Sequence, residues 1–92
     1  MMETITPEIR RFVVDNFLFG QDAGPLGNDE SFLDTGIIDS TGVLQLVGFL
    51  EERYNIAIGN DELVPDNLDS VNRVSRFVQA KLQTGEERHV AQ

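Results

Sequence analysis

The chain has 92 residues, no cysteine, 40% hydrophobic residues, and 16 acids against 7 bases for a formal net charge of −9. Those totals describe one small domain with one core. They exclude a disulfide framework, a thiolate zinc site and a cysteine nucleophile, and they disfavour nucleic acid, whose phosphates an acidic surface repels.

The first helix is expected to start with Thr6 as cap and Pro7 at the first helical position. Glu8 then favours the positive helix end. Ile9, Phe12, Val13 and Phe17 fall at helical spacing on one face, with Leu18 beside them. Gly20 places the helix end near Phe19. Residues 20–38 form a long connection, turn-rich in its first half, "GQDAGPLGNDE". Its second half carries Phe32, Leu33, Ile37 and Ile38, most of which are expected to tuck into the core, while Gly36 supplies a backbone angle that other residues disfavour.

A second helix is expected from Ser40 to Tyr54. Val43, Leu46, Val47, Leu50 and Tyr54 make its apolar stripe, and Leu44 and Phe49 lie off it. Gly42 and Gly48 sit inside this helix at a cost of ~1 kcal/mol each relative to alanine. Such a cost needs a reason, such as close approach by a neighbour. A short helical turn is expected at Asn60–Leu63, halted by Pro65, with Ile56 and Ile58 pinning the connection before it. The last helix takes Asp69 or Ser70 as cap and buries Val71, Val74, Phe77, Val78 and Leu82. The polar "QTGEERHVAQ" reads as a frayed tail, so the domain is placed at 1–82 and the tail at 83–92. The fold class is all-α: a small four-helix bundle of three main helices and one short one, with a long loop between the first two.

Few residues could carry catalysis. The one histidine, His89, lies in the tail, and a general base must be held within hydrogen-bond reach of its nucleophile. The carboxylates of 61–69 match no calcium-loop spacing, so no metal site and no catalytic residue are assigned. No apolar run approaches the ~20 residues of a membrane helix. The N-terminus lacks the basic-then-apolar order of a signal peptide, so a cytoplasmic protein without membrane insertion is expected. Between Ser31 and Ser70 eight acids stand against one base, a local balance of −7. Such a face steers basic partner surfaces toward it, or serves solubility alone.

The remaining signal is Asp39-Ser40, at the boundary between loop and helix in "FLDTGIIDSTGVLQLVGFLEE", residues 32–52. Helix capping accounts for the pair by itself and is worth ~1 kcal/mol. Attachment of a group to the hydroxyl is the other reading, and the two are compatible.

The stretch "FLDTGIIDSTGVLQLVGFLEERYNIAI" resembles the acyl carrier protein family, over about residues 9 to 82. The matching features are the Gly-apolar-apolar-Asp-Ser approach, Leu46 and Leu50 in the following helix, the Glu51-Glu52 pair and Ile58. The resemblance implies a 4′-phosphopantetheine arm on Ser40, derived from coenzyme A. It implies a phosphopantetheinyl transferase whose metal Asp39 helps to recognise. The protein is then a phosphoprotein holding its cargo as a thioester, a cosubstrate of other enzymes rather than an enzyme itself.

The sequence also departs from fatty-acid-synthesis carriers. Thr41 replaces a leucine, Gly42 and Gln45 stand where acids are common, and Gly48 stands where a large apolar residue is common. In Gly42, two after the serine, and Gln45, five after it, the stretch "DTGIIDSTGVLQL" is similar to D-alanyl carrier proteins and other specialised stand-alone carriers. That implies loading by an adenylate-forming acyl or aminoacyl ligase, then delivery to an acyltransferase or synthase in lipid or secondary metabolite biosynthesis. Thr41, Leu44, Gly48, Glu51 and Glu52 form the expected partner surface, and a monomer is the family default. The competing reading is an acidic helical interaction adaptor with no prosthetic group.

Overall fold

The computed structural model describes residues 2–18 and 27–84. Its elements are α1 (Met2–Phe17), α2 (Phe32–Thr35), α3 (Ser40–Tyr54), a 3₁₀ turn (Asn60–Glu62), α4 (Pro65–Leu68) and α5 (Val71–Thr84). No strand occurs among the described residues. The architecture is the small all-α bundle expected. α5 packs chiefly on α1 and α4 and more sparingly on α3. Phe19 and residues 85–92, where the first helix end and most of the tail were placed, lie outside the described residues; Gln83 and Thr84 continue α5.

The core draws on every α-helix. Ile5, Ile9, Val13 and Val14 come from α1, Leu46 and Leu50 from α3, and Val71, Val74, Phe77 and Val78 from α5. Phe32 of α2, Leu68 of α4, and Ile38 and Ile56 from the connections close it. A fully buried Leu or Ile contributes about 1.5–3 kcal/mol.

α1 begins earlier than its cap signals suggest. Pro7 lies inside it rather than at its start, although proline removes one helical hydrogen bond. Tertiary contact offsets that loss. Ile5 is buried, and the Thr6 hydroxyl donates to Ser75 Oγ at 3.0 Å, which in turn donates to the Val71 carbonyl at 2.8 Å. Phe12 and Phe17, which share the apolar face of α1 with the buried Ile9 and Val13, are only half-buried. Phe12 instead stacks on Phe49 of α3 with centroids 4.2 Å apart, and Phe17 meets the Phe12 ring edge-on at 6.0 Å. These rings flank the α1–α3 seam, while Ile5, Ile9 and Val13 face the centre.

The long connection contains an element that its sequence does not announce. α2 is one helical turn. Ser31 caps it by accepting the Asp34 N–H at 3.0 Å. Asp69 then holds it from a distance: its side chain accepts the Ser31 hydroxyl and the Leu33 N–H, and its carbonyl accepts the Phe32 N–H at 2.8 Å. Gly36 ends α2 in the left-handed conformation, φ 76°, as expected. Pro65 does not halt the 3₁₀ turn; it opens α4 at the first helical position, where its missing N–H costs nothing. Ser70 caps α5 by accepting the Arg73 N–H at 3.1 Å.

Two charged clusters tie the elements together. Glu8 of α1 accepts the Tyr54 hydroxyl at 2.8 Å and pairs with Arg53. Lys81, only 7% exposed, places its ammonium 2.9 and 3.1 Å from the two oxygens of Glu62. Glu62 also accepts the Gly59 N–H at 2.9 Å, so the 3₁₀ turn is clamped to α5.

Candidate functional site at the start of α3

Asp39 and Ser40 divide the roles that the sequence leaves open between them. Asp39 is the N-cap: its backbone is extended (φ −94°, ψ −178°), and Oδ1 accepts the Gly42 N–H at 2.7 Å. Its carbonyl accepts the Val43 N–H at 3.0 Å. The cap is therefore complete without the serine. Ser40 is the first residue of the helix, exposed, and its hydroxyl makes no hydrogen bond among the described residues. The preceding turn anchors the backbone that leads into the helix. Ile38 is fully buried one residue before Asp39, and its N–H donates to the Phe32 carbonyl at 3.3 Å.

Gly42 lets the first turn of α3 sit close to its neighbours. A Cβ there would come within 2.9 Å of Phe17 Cε1 and 3.0 Å of Ile38 Cγ2. A neighbour's close approach thus explains this glycine. It does not explain Gly48, where a Cβ would meet nothing within 4 Å among the described residues.

The partner-surface residues named from sequence are not equivalent. Thr41, Leu44, Gly48 and Glu52 are exposed, on the side of α3 that continues from Ser40. Glu51 is half-buried, and its Oε2 accepts the Ile58 N–H at 3.0 Å, fastening α3 to the following connection.

Beside Ser40 lies a groove of ≈ 240 Å³ that the sequence reading does not anticipate. Val43 and Leu44 form one wall, Phe32 and Leu33 the second, and Leu63, Val64, Pro65 and Leu68 the third. Among the described residues the exposed large hydrophobics are Leu33 (49%), Leu44 (61%) and Val64 (40%), and all three ring this groove. Its sequence signal is weak: Leu33 and Leu44 stand off the core periodicity. Asp69 is the charged lining residue, and both its carboxylate oxygens are engaged by Ser31 and Leu33. Among the described residues no three carboxylates or histidines cluster as a metal site, and no helix is long and apolar enough to cross a membrane.

Comparison with known proteins adds a family. No family model matches the chain, and no solved structure does. Curated relatives do match. The D-alanyl carrier protein of Streptococcus pyogenes serotype M5 (strain Manfredo) is 30% identical over 73 residues, covering 77% of this chain and 91% of the relative. Those of Streptococcus suis (strain 05ZYH33) and Streptococcus sanguinis (strain SK36) are each 32% identical over 57 residues, covering 62% of this chain and 71% of the relative. With nearly the whole length of one such relative matched, and a small all-α bundle as its fold, the chain belongs to the acyl carrier protein family, on the side of the D-alanyl carrier proteins.

Proposed function

We propose that this carrier protein holds an acyl or aminoacyl group as a thioester on a 4′-phosphopantetheine arm attached to Ser40, and presents it to partner enzymes. The observation that carries the reading is the division of labour at the helix start. Asp39 does the capping, so the exposed Ser40 hydroxyl is left without a partner among the described residues. The residues present fit the group. A phosphodiester on Ser40 Oγ stands at a helix N-terminus, where backbone amides and the helix dipole favour negative charge. The arm, when bound, supplies the thiol that a chain without cysteine lacks.

In attachment, Ser40 Oγ takes the phosphopantetheinyl group from coenzyme A. The phosphoanhydride bond breaks, adenosine bisphosphate leaves, and the serine proton passes to the transferase. Asp39 Oδ1 is spent on the cap, and Oδ2 is the oxygen available to the transferase's metal. Leu44 and the rim of the groove offer apolar contact, with Thr41 and Glu52 beside them. Glu51 contributes charge while bracing the helix. The partners are a phosphopantetheinyl transferase, an adenylate-forming ligase and a downstream acyltransferase or synthase, all acting on a monomeric carrier in the cytoplasm.

The test is intact mass after incubation with coenzyme A and a broad-specificity phosphopantetheinyl transferase. The expected result is a gain of one phosphopantetheinyl group, abolished in Ser40→Ala while the fold and melting temperature are kept. No gain in wild type, or a gain that survives Ser40→Ala, overturns the reading and leaves the arm-free adaptor in its place.

A further inference from the structure

Two glycines interrupt α3, and the fold explains only one of them. Gly42 has no room for a Cβ; Gly48 has open space around it and ordinary negative φ. Glycine is the poorest ordinary helix former because it has the most backbone freedom to lose. At position 48 the fold bears that loss in mid-helix and, among the described residues, gains no contact in return. The described residues supply no reason for the glycine.

Its position says what covers it. Gly48 follows Ser40 by about 12 Å along the helix axis and about 80° around it, at 1.5 Å and 100° per residue. Leu44, 61% exposed, stands between them. A protein partner in a standard interface covers about 800 Å² on each side, a patch of roughly 16 Å radius. An enzyme whose active site closes on Ser40 Oγ therefore reaches over Leu44 to Gly48. Glu52, exposed one turn further on, and Asp39, exposed just before Ser40, call for a basic rim on that enzyme.

We propose that Gly48 is a specificity-determining notch: its missing side chain lets the phosphopantetheinyl transferase that modifies Ser40 pack against the bare backbone of α3. The proposal rests on the Ser40 attachment reading. It makes Gly48 a residue retained for recognition at the expense of helix stability. A side chain there strengthens the free protein and obstructs the complex.

The experiment uses the full chain as wild type, Gly48→Ala and Gly48→Leu. Each is melted, and each is titrated as substrate for one phosphopantetheinyl transferase with coenzyme A. Both variants are expected to melt above wild type. The KM for the carrier is expected to rise at least threefold for Gly48→Ala and at least tenfold for Gly48→Leu, with kcat unchanged. Loading of both variants at the wild-type KM overturns the proposal. So does a fall in melting temperature that tracks the loss of loading, since the glycine would then serve the fold. A wild-type chain that gains no mass is a different failure: it overturns the Ser40 reading and removes the ground on which the notch stands.

Discussion

Gly42→Ala sets two effects of opposite sign against each other in the first turn of α3. Alanine gains about 1 kcal/mol of helix propensity over glycine. Against this, its Cβ would stand 2.9 Å from Phe17 Cε1, 3.0 Å from Ile38 Cγ2 and 3.3 Å from Asp39 Oδ1. The half-buried Phe17 ring has room to turn away. Ile38 does not, because it is fully buried in the core. Moving Asp39 also loosens the cap bond to Gly42 N, and a capping side chain is worth about 1 kcal/mol. Overpacking costs about 1–3 kcal/mol. With partial loss of the cap the penalty exceeds the propensity gain, for a net destabilisation of about 1–2 kcal/mol. In a domain this size each kcal/mol moves the melting temperature by roughly 4–8 °C. Thermal unfolding followed by circular dichroism reads the shift directly. A melting temperature equal to or above wild type would mean that the first turn of α3 is not seated against Ile38 as described, and the placement of Ser40 would fall with it.

Other outcomes follow from the same contacts. Leu50→Ala empties a fully buried site in α3 and is expected to cost about 2–5 kcal/mol, a large part of the 5–15 kcal/mol typical of a whole domain; an unchanged urea midpoint would show that the α3 register is wrong. The Gly59 amide, and after it the Lys81 ammonium, hold the Glu62 carboxyl below its ordinary value, and the Tyr54 hydroxyl, followed by Arg53, does the same for Glu8. Both groups bind protons more weakly folded than unfolded. Their stabilisation is complete above the ordinary carboxylate value of 4.5 and is lost as pH falls through the depressed folded values. Urea melts between pH 7 and 3 are expected to show that loss, reduced in Glu62→Gln; a wild-type profile no steeper than the variant's would contradict it. Association with a basic partner is expected to slow as salt screens the acidic face, and stopped-flow rates that ignore ionic strength would count against that mode of docking.

Much of the site was legible because its signals are local. The residues that start and stop α3 lie within a turn of its ends: Asp39 caps one, and Asn55 closes the other in the left-handed conformation at φ 55°. Leu46 and Leu50 repeat at the helical period, and Gly36 stands one residue past α2. Ser40 stood out for the same reason, as a hydroxyl at a boundary between two apolar runs.

What the chain order hides is carried by contacts between distant residues. α2 exists because Asp69 reaches it across 36 to 38 positions, and α1 runs through Pro7 because Thr6 finds Ser75 across 69. The groove beside Ser40 has three walls from three separate segments, so no window of sequence contains it. Composition and periodicity by themselves determined a small acidic helical bundle with a serine at the head of its second long helix. Tertiary structure decided that Asp39 and not Ser40 is the cap, that Gly42 is forced by packing, and that Gly48 is not. Local propensity is set by a residue and its neighbours within a turn, whereas the room around a side chain is set by whatever the rest of the fold brings beside it.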